Sequence, residues 1–325
     1  MNLPRRKFLR LAAGAAAVPA ISRIAGAQAY PSRPVRLVVG FGPGGGQDVT
    51  ARLMGQWLSE RLGHQFVVEN RPGAAGNIAA EAVVKSPADG YTLFLVGVNN
   101  AINATLYDKL NFDLIRDIAS VAGIMRVPNV MEVNPSFPAK SVPEFIAYAK
   151  ANPGKINFGS GGSGTSIHLA AELFKTMTRV EMQHVPYRGG GQFLTGLLGG
   201  QVQVIFDNLP SSIELIRSGK LRPLAVTMTT HSDALPEIPT MRDFVPGYEA
   251  SAFFGIGAPK STPREIIERL NREINMALAD PGMKARLADL GGVVLAGSPS
   301  DFGKLVADET EKWANVIRAA NIKPE

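Results

Sequence analysis

Seven short apolar runs, many rich in β-branched residues and separated by helical patterns, constrain the fold more than any other feature. They are VRLVV (35–39), QFVVEN (65–70), YTLFLV (91–96), KINFG (155–159), VQVIFD (202–207), LRPLAVT (221–227) and FFGIGA (253–258). Runs of this length read as strands buried on both faces, and their alternation with helices predicts an α/β chain with mostly parallel strands. Two helices begin with S/T-x-x-E, at Ser141–Glu144 and Thr262–Glu265. In that capping box the hydroxyl and the carboxylate each satisfy a backbone N–H that the first turn leaves unpaired. After the second box, Ile266, Ile267, Leu270, Ile274 and Leu278 form one apolar stripe. A last helix starts near Ser298-Pro299 and carries Phe302, Leu305, Val306, Trp313 and Ile317.

A chain of 325 residues suits two ordinary domains or one large one. Pro128, Pro135 and Pro138 mark a crossover into a second lobe, and VPGYEASAFFG (245–255) a return. The strand–glycine loop–helix at 35–62 recurs at 155–177, which suggests one such unit per lobe, facing across a cleft. The helical stripes expected after the two loops are Val49, Leu53 and Trp57, and Leu169, Leu173 and Met177.

Residues 1–29 read as an export signal. A basic start (Arg5, Arg6, Lys7, Arg10) precedes a short Ala-rich apolar stretch and the small-x-small sites Ala25-Gly26-Ala27 and Ala27-Gln28-Ala29. The apolar part is broken by Pro19 and too short to span a bilayer. Arg5-Arg6 followed by Phe8-Leu9 resembles a twin-arginine signal, although Pro4 and Arg10 depart from its commonest form and leave the general route open. Of the net charge of +6, five units belong to this leader, so the remainder carries +1 and its charge gives no reason to expect nucleic-acid binding. The expected location is the periplasm. Cysteine is absent, which excludes disulfides and thiolate metal sites.

VRLVVGFGPGGGQDVTARL (35–53) contains G-x-G-x-x-G at Gly40, Gly42 and Gly45, between a strand and a helix. Helix N-termini present free N–H groups and the positive dipole end, and glycines let a ligand approach the backbone. Glu69, ending the next strand, would suit the ribose of a dinucleotide. Pro43, Gly44 and Gly46 break that fingerprint, and export removes the chain from a nicotinamide supply, so another anion is favoured. Gln47 is a side-chain donor there, while Asp48 would repel an anion lying on it, which places the ligand nearer Phe41–Gln47. The second loop, GSGGSGTS, offers the hydroxyls of Ser160, Ser163, Thr165 and Ser166. Its plain reading is a flexible turn with helix caps.

Catalytic patterns are weaker. G-x-S-x-G fails at Ser160 and at Ser163, and a Ser163/His168/Asp207 set is of a kind that any α/β chain of this length offers. His64, His168, His184 and His231 lack metal-ligand spacing, and H-E-x-x-H is absent. His168 reads as a helix-surface or loop-supporting residue. Arg188 is either a counter-ion for an acidic ligand or a solvated cation. Asp207 and Asn208 end a strand where clefts of open parallel sheets form, and Phe41 and Tyr187 could wall one. No metal and no cofactor is expected.

YPSRPVRLVVGFGPGGGQDVTAR, VVENRPGAAGNIAAEAVVKSPADGYTL, INFGSGGSGTSIHLAAELF, VPYRGGGQFLTGLLGGQVQVIFDN and LRPLAVT together resemble the solute receptors of tripartite tricarboxylate transporters, the Bug receptor family. The resemblance runs in order along essentially all of the chain after the leader. It implies a type II periplasmic binding protein, not an enzyme, with two α/β lobes, each a mostly parallel sheet flanked by helices. Lobe 1 would be 30–127 with 251–325, and lobe 2 would be 128–250. The resemblance further implies a ligand carboxylate held between the two β–α loops, partly through water. Carried onto this chain, that points to Phe41–Asp48, including Gly42, Gly45, Gly46, Gln47 and Asp48, and to Ser160, Gly164, Thr165 and Ser166. Asn99, Tyr187, Arg188, Asp207 and Asn208 are candidates for the far wall that sets specificity.

The implied ligand is a small carboxylate: a di- or tricarboxylate, an aromatic acid or an acidic amino acid. The implied partners are one large and one small membrane subunit, with the receptor itself monomeric. One departure stands out: GGGQFLTGLLGG follows Arg188 where many relatives have Pro-Ala and an acid, and Phe193 could reshape the cleft wall. The rival readings are an exported serine hydrolase and a receptor that feeds a sensor.

Overall fold

The computed structural model describes residues 30–320, 322 and 323, and the architecture below lies within the compact unit that begins at Arg33. The export-signal reading falls on residues 1–29, outside the described residues.

The first stretch of chain runs β1 (Val35–Val39), α1 (Gly46–Leu62), β2 (Phe66–Asn70), α2 (Asn77–Val84), β3 (Thr92–Gly97), α3 (Val98–Leu106) and α4 (Leu114–Asp117). A long strand, β4 (Ile118–Val133), then leads into α5 (Val142–Ala151), β5 (Ile156–Ser160), α6 (Ser166–Thr178) and β6 (Met182–Pro186). There follow α7 (Gly190–Leu198), β7 (Val204–Asn208), α8 (Leu209–Arg217) and β8 (Arg222–Val226). The chain returns through β9 (Ser251–Pro259) to α9 (Arg264–Ala279), α10 (Pro281–Asp289), β10 (Val293–Val294) and α11 (Pro299–Ala320).

The strands order as β2-β1-β3-β9-β4-β7-β5-β6, with β8 and β10 also on β4. Within each lobe the βα units set β1 parallel to β2 and β3, and β5 parallel to β6 and β7. Each lobe is thus an α/β layer, as the alternating runs predicted, but the strands are less uniformly parallel than expected, because β3 pairs antiparallel with β9 and β4 runs antiparallel to each of its partners. The two lobes share β4. Its residues 118–128 pair antiparallel with β9, and 129–133 pair with β7 and β8. Pro128, which has no N–H to give to a ladder, stands opposite Ser251 where the β9 pairing ends.

The helices depart from the predicted stripes. On α1 the predicted Leu53 is buried together with Thr50, Ala51, Met54, Gly55 and Leu58, while Val49 and Trp57 are only half-buried. Trp57 instead reaches α9, donating to the Glu273 carbonyl at 3.2 Å. On α6 the predicted Leu169 is buried together with Ala170, Ala171, Phe174 and Thr178, but Leu173 is only half-buried and Met177 is exposed. Both buried faces mix small residues with large ones, Met54 and Leu58 on α1 and Phe174 on α6, and are rotated away from Trp57 and Met177.

The caps differ too. Ser141 caps α5 through the Glu144 N–H, but the Glu144 carboxylate accepts from Lys140 N–H at 2.8 Å and not from Ser141. The box at Thr262 does not form. Pro263 is the cap residue of α9, with no side-chain bond, and among the described residues the buried Thr262 hydroxyl has no partner. A reciprocal cap does form at Ser298 and Asp301, each side chain accepting from the other's N–H. The stripe of α9 buries Ile267, Leu270, Ile274 and Leu278, as expected.

Candidate functional site

Five strand-to-helix junctions converge on one cavity between the lobes. Lobe 1 contributes the start of α1 (Gly45, Gly46, Gln47) and of α3 (Val98, Asn99). Lobe 2 contributes α6 (Thr165, Ser166, Ile167), α7 (Gly189, Gly190) and α8 (Asp207, Asn208). Phe41, Phe193 and Phe254 complete apolar walls. At the starts of α1, α7 and α8 no side chain caps the helix among the described residues, which leaves the N–H groups of Gly46, Gln47 and Gly190 for a ligand, whereas Gly191 N–H is taken by the Pro43 carbonyl and Pro210 has none. Five positive dipole ends meet here, and among the described residues no Lys or Arg lines the cavity. The site can therefore hold an anion through backbone and neutral side chains, beside surface suited to methylenes or a ring.

The junctions are braced from behind. Gln47 donates to Asn99 Oδ1 at 2.6 Å, and Asn99 and Asn103 both donate to the carbonyl of Ala75. Ala74 and Ala75 hold φ of 46° and 50°, a left-handed conformation costly for alanine, and the two amides anchor that bend against the cavity. Asp48 turns away from the cavity. Its carboxylate accepts two bonds from Arg52 and one each from Asn70 and the Gly44 N–H. Burial works against its charge, but Arg52, Gly44 and Asn70 outweigh it and hold the group below the usual carboxylate range.

In lobe 2 the hydroxyls are largely spent on the loop itself. Thr165 accepts from His168 N–H and donates to the Gly162 carbonyl, and Ser160 shares a 2.6 Å bond with His184. Ser166 differs: its oxygen accepts from Asn208, which leaves its own proton to give. His168 is buried, packs near Phe158 and His184, and accepts from Gly164 N–H at 3.4 Å, so it supports the loop and is not on the helix surface. Burial, with the charges of His184 and Lys175 added, pushes its imidazole down to about 3, keeping it neutral.

The lobes touch over the cavity mouth. Gly42 N–H donates to the Arg188 carbonyl at 3.1 Å, Gly191 N–H to the Pro43 carbonyl at 3.4 Å, and Tyr107 to the Ser163 carbonyl at 3.1 Å. A Cβ on Gly190 would lie 2.6 Å from Gly45 Cα, and one on Gly189 would lie 2.9 Å from Gly42 Cα. Only bare backbone lets the two glycine segments meet so closely.

Of the residues singled out in the sequence, Phe41, Gly45, Gly46, Gln47, Asn99, Thr165, Ser166, Asp207 and Asn208 line this cavity. Gly42 lies in the seam above it, and Asp48, Ser160 and Gly164 lie behind it as supports. Tyr187 points toward Gln201, and the Arg188 side chain is exposed, its main chain alone joining the seam. Glu69 is tied to Arg36 and Arg71. Sequence reasoning missed Val98, Ile167, Gly189, Gly190 and Phe254 as lining residues. The paired aromatics Phe253-Phe254 were a usable signal, since alternation along β9 sends Phe253 toward Phe302 and Phe254 to the opposite face.

Residues 50–322 match the family model described as the tripartite tricarboxylate transporter family receptor. The chain belongs to that family. Among solved structures, Rpa4515 of R. palustris with adipate is 41% identical with a TM-score of 0.89, covering 91% of this chain and 100% of its own. The periplasmic binding protein BugD is 30% identical with a TM-score of 0.88, again over 91% and 100% of the two chains. MatC of Rhodopseudomonas palustris, with bound malate, is 29% identical with a TM-score of 0.85, over 89% and 100%. The receptor therefore has the α/β periplasmic binding protein fold, and its family is one of binding proteins, not enzymes. Among the described residues no helix is long and apolar enough to cross a membrane.

Proposed function

We propose that this receptor binds a small dicarboxylate in the inter-lobe cavity and delivers it to the membrane subunits of a tripartite transporter. The carrying observation is the meeting of five helix N-termini at a cavity with apolar walls and, among the described residues, no cationic side chain. Adipate in Rpa4515 and malate in MatC support the choice of acid. The donors are the first-turn N–H groups of Gly46, Gln47 and Gly190 with the Ser166 hydroxyl, each bond to the charge contributing about 1.5–3 kcal/mol. Asn99, Asp207 and Asn208 face the far end of the acid.

The lobe boundaries fall at 127/128 and 250/251 in this reading, supported by the change of β4 partners after Pro128 and the start of β9 at Ser251. An acid touching both lobes favours the closed arrangement by its differential affinity for it. The receptor works as a monomer in the periplasm after loss of residues 1–29, by either export route.

A thermal-shift screen of the purified receptor against adipate, malate, citrate, glutamate, benzoate and NAD tests this. A ligand at 100 times its Kd stabilises by about 2.7 kcal/mol, a shift of several degrees for a chain of this size. A shift with a dicarboxylate and none with NAD is expected. A shift with NAD, or none with any acid, would overturn the reading.

A further inference from the structure

Behind one wall of the cavity, β4 and β7 bring two acids together. The register pairs Val130 with Asp207 and Glu132 with Ile205, so Glu132 and Asp207 are diagonal neighbours on one face of the sheet. Both are fully buried. Among the described residues neither oxygen of Glu132 has a hydrogen-bond partner, nor does Asp207 Oδ1. Asp207 Oδ2 accepts from Ser211, and Ser212 stands beside both carboxyls. Asp207 lines the cavity and, among the described residues, is its one titratable side chain.

Among the described residues nothing packed around the pair supplies a counter-charge. On α6, His168 is neutral and Glu172 is bound to Lys175, and β5 carries no titratable side chain. On β8, Arg222 donates to the carbonyls of Phe137 and Ala139, and α8 faces the pair with Ser211 and Ser212. Two acids so placed cannot both ionise. Burial, with the charge of Asp207 added, pushes Glu132 well above the carboxylate range, and burial pushes Asp207 up to about 7. The pair thus keeps one proton through neutral pH and stands ready to take a second.

An ionised Asp207 would repel the anion that five helix ends attract, whereas a protonated one has a donor to offer it. We propose that the Glu132–Asp207 pair takes up one proton from solvent when a dicarboxylate binds, and that Asp207 donates it through Oδ1 to a carboxylate of the bound acid. Asp207 then acts as a specificity-determining residue that rewards an acceptor at that wall and refuses a second negative charge until a proton accompanies it. This rests on the dicarboxylate reading above.

The test is titration calorimetry of the receptor with adipate and with malate between pH 6.5 and 9, in buffer pairs of different ionisation enthalpy. Uptake approaching one proton per bound acid is expected above pH 7, with affinity falling by up to about tenfold per pH unit. Asp207→Asn, which keeps a donor but cannot titrate, should bind without uptake and with a flat pH profile, while Glu132→Gln should retain uptake. Difference infrared spectroscopy of the unaltered receptor at pH 8 provides a reading independent of variant folding: a protonated-carboxyl band should grow when either acid binds. Binding with neither uptake nor that band overturns the proton linkage alone. Uptake that survives Asp207→Asn overturns the assignment to Asp207. No binding of either acid at any pH overturns both this inference and the dicarboxylate reading.

Discussion

The two glycine loops look alike in sequence and do different work. In the loop before α1 the side chains turn outward or sideways: Asp48 engages Arg52, Gln47 engages Asn99, and the backbone is left facing the cavity. In the loop before α6 the hydroxyls of Thr165 and Ser160 fold back on their own chain, Thr165 on His168 N–H and Ser160 on His184, whereas cavity-lining Ser166 keeps a proton to give. A hydroxyl-rich loop is thus mostly self-satisfied, while a bare glycine loop is the richer donor surface. Counting Ser and Thr overstates what such a loop offers a ligand.

The largest test of this contrast lies where the first loop meets α7. Gly190→Val places side-chain atoms where the Gly45 backbone already sits, so the lobes should close poorly over adipate. Overpacking of that kind costs about 1–3 kcal/mol, an affinity loss of roughly 5- to 150-fold by calorimetry, with a more open solution-scattering profile. Unchanged affinity would mean the seam is irrelevant to binding.

Within the second loop the hydroxyls should separate. Ser166→Ala should weaken adipate binding by about tenfold or more, the loss of a bond to a charge. Thr165→Ala should lower stability by about 1 kcal/mol in urea titrations and leave the affinity of the folded fraction nearly unchanged, because that hydroxyl caps α6. If the two effects were exchanged, the contrast between the loops would collapse.

Acidification should separate the loops most gently. His168 titrates far lower folded, at about 3, than unfolded, near its ordinary 6.5. Between those values the unfolded chain binds more protons, so stability from this group falls as pH drops through that window. Asp48 is depressed, so its contribution persists above its ordinary 3.8 and fades only below it. Hydrogen exchange, corrected for intrinsic rates, should show Gly164 losing protection between pH 6 and 4 while Gly44 does not. Asp207, raised to about 7, runs the other way and adds stability on acidification below 7.

Much of the fold was legible because buried strands announce themselves. The VRLVV, YTLFLV and VQVIFD runs became β1, β3 and β7 with ends shifted by two residues at most. The longest strand was not seen. β4 contains Arg126, Pro128, Asn129 and Glu132, which break an apolar run, and their accommodation depends on distant partners. Arg126 pairs with Glu309 and Ser251, and Asn129 donates to the Phe206 carbonyl. Missing β4 also hid the juxtaposition of Glu132 and Asp207, which only strand register creates. The glycine loops at 40–46 and 160–166 were readable as an anion site from local chemistry, but the junction at Val98 and Asn99 has no glycine cluster to mark it. Phe254 required knowing that β9 passes under α1, where its ring packs against Gly46.

The cavity's positive potential resides in peptide groups, and that has a consequence for how such receptors diversify. A seat made of arginines can be erased by one codon change, and its ligand repertoire drifts with those arginines. A seat made of five helix ends is inherited with the architecture and survives almost any replacement of side chains. Selection can then exchange the aromatic and amide residues of the walls freely, changing which acid is carried while the grip on its charge is kept.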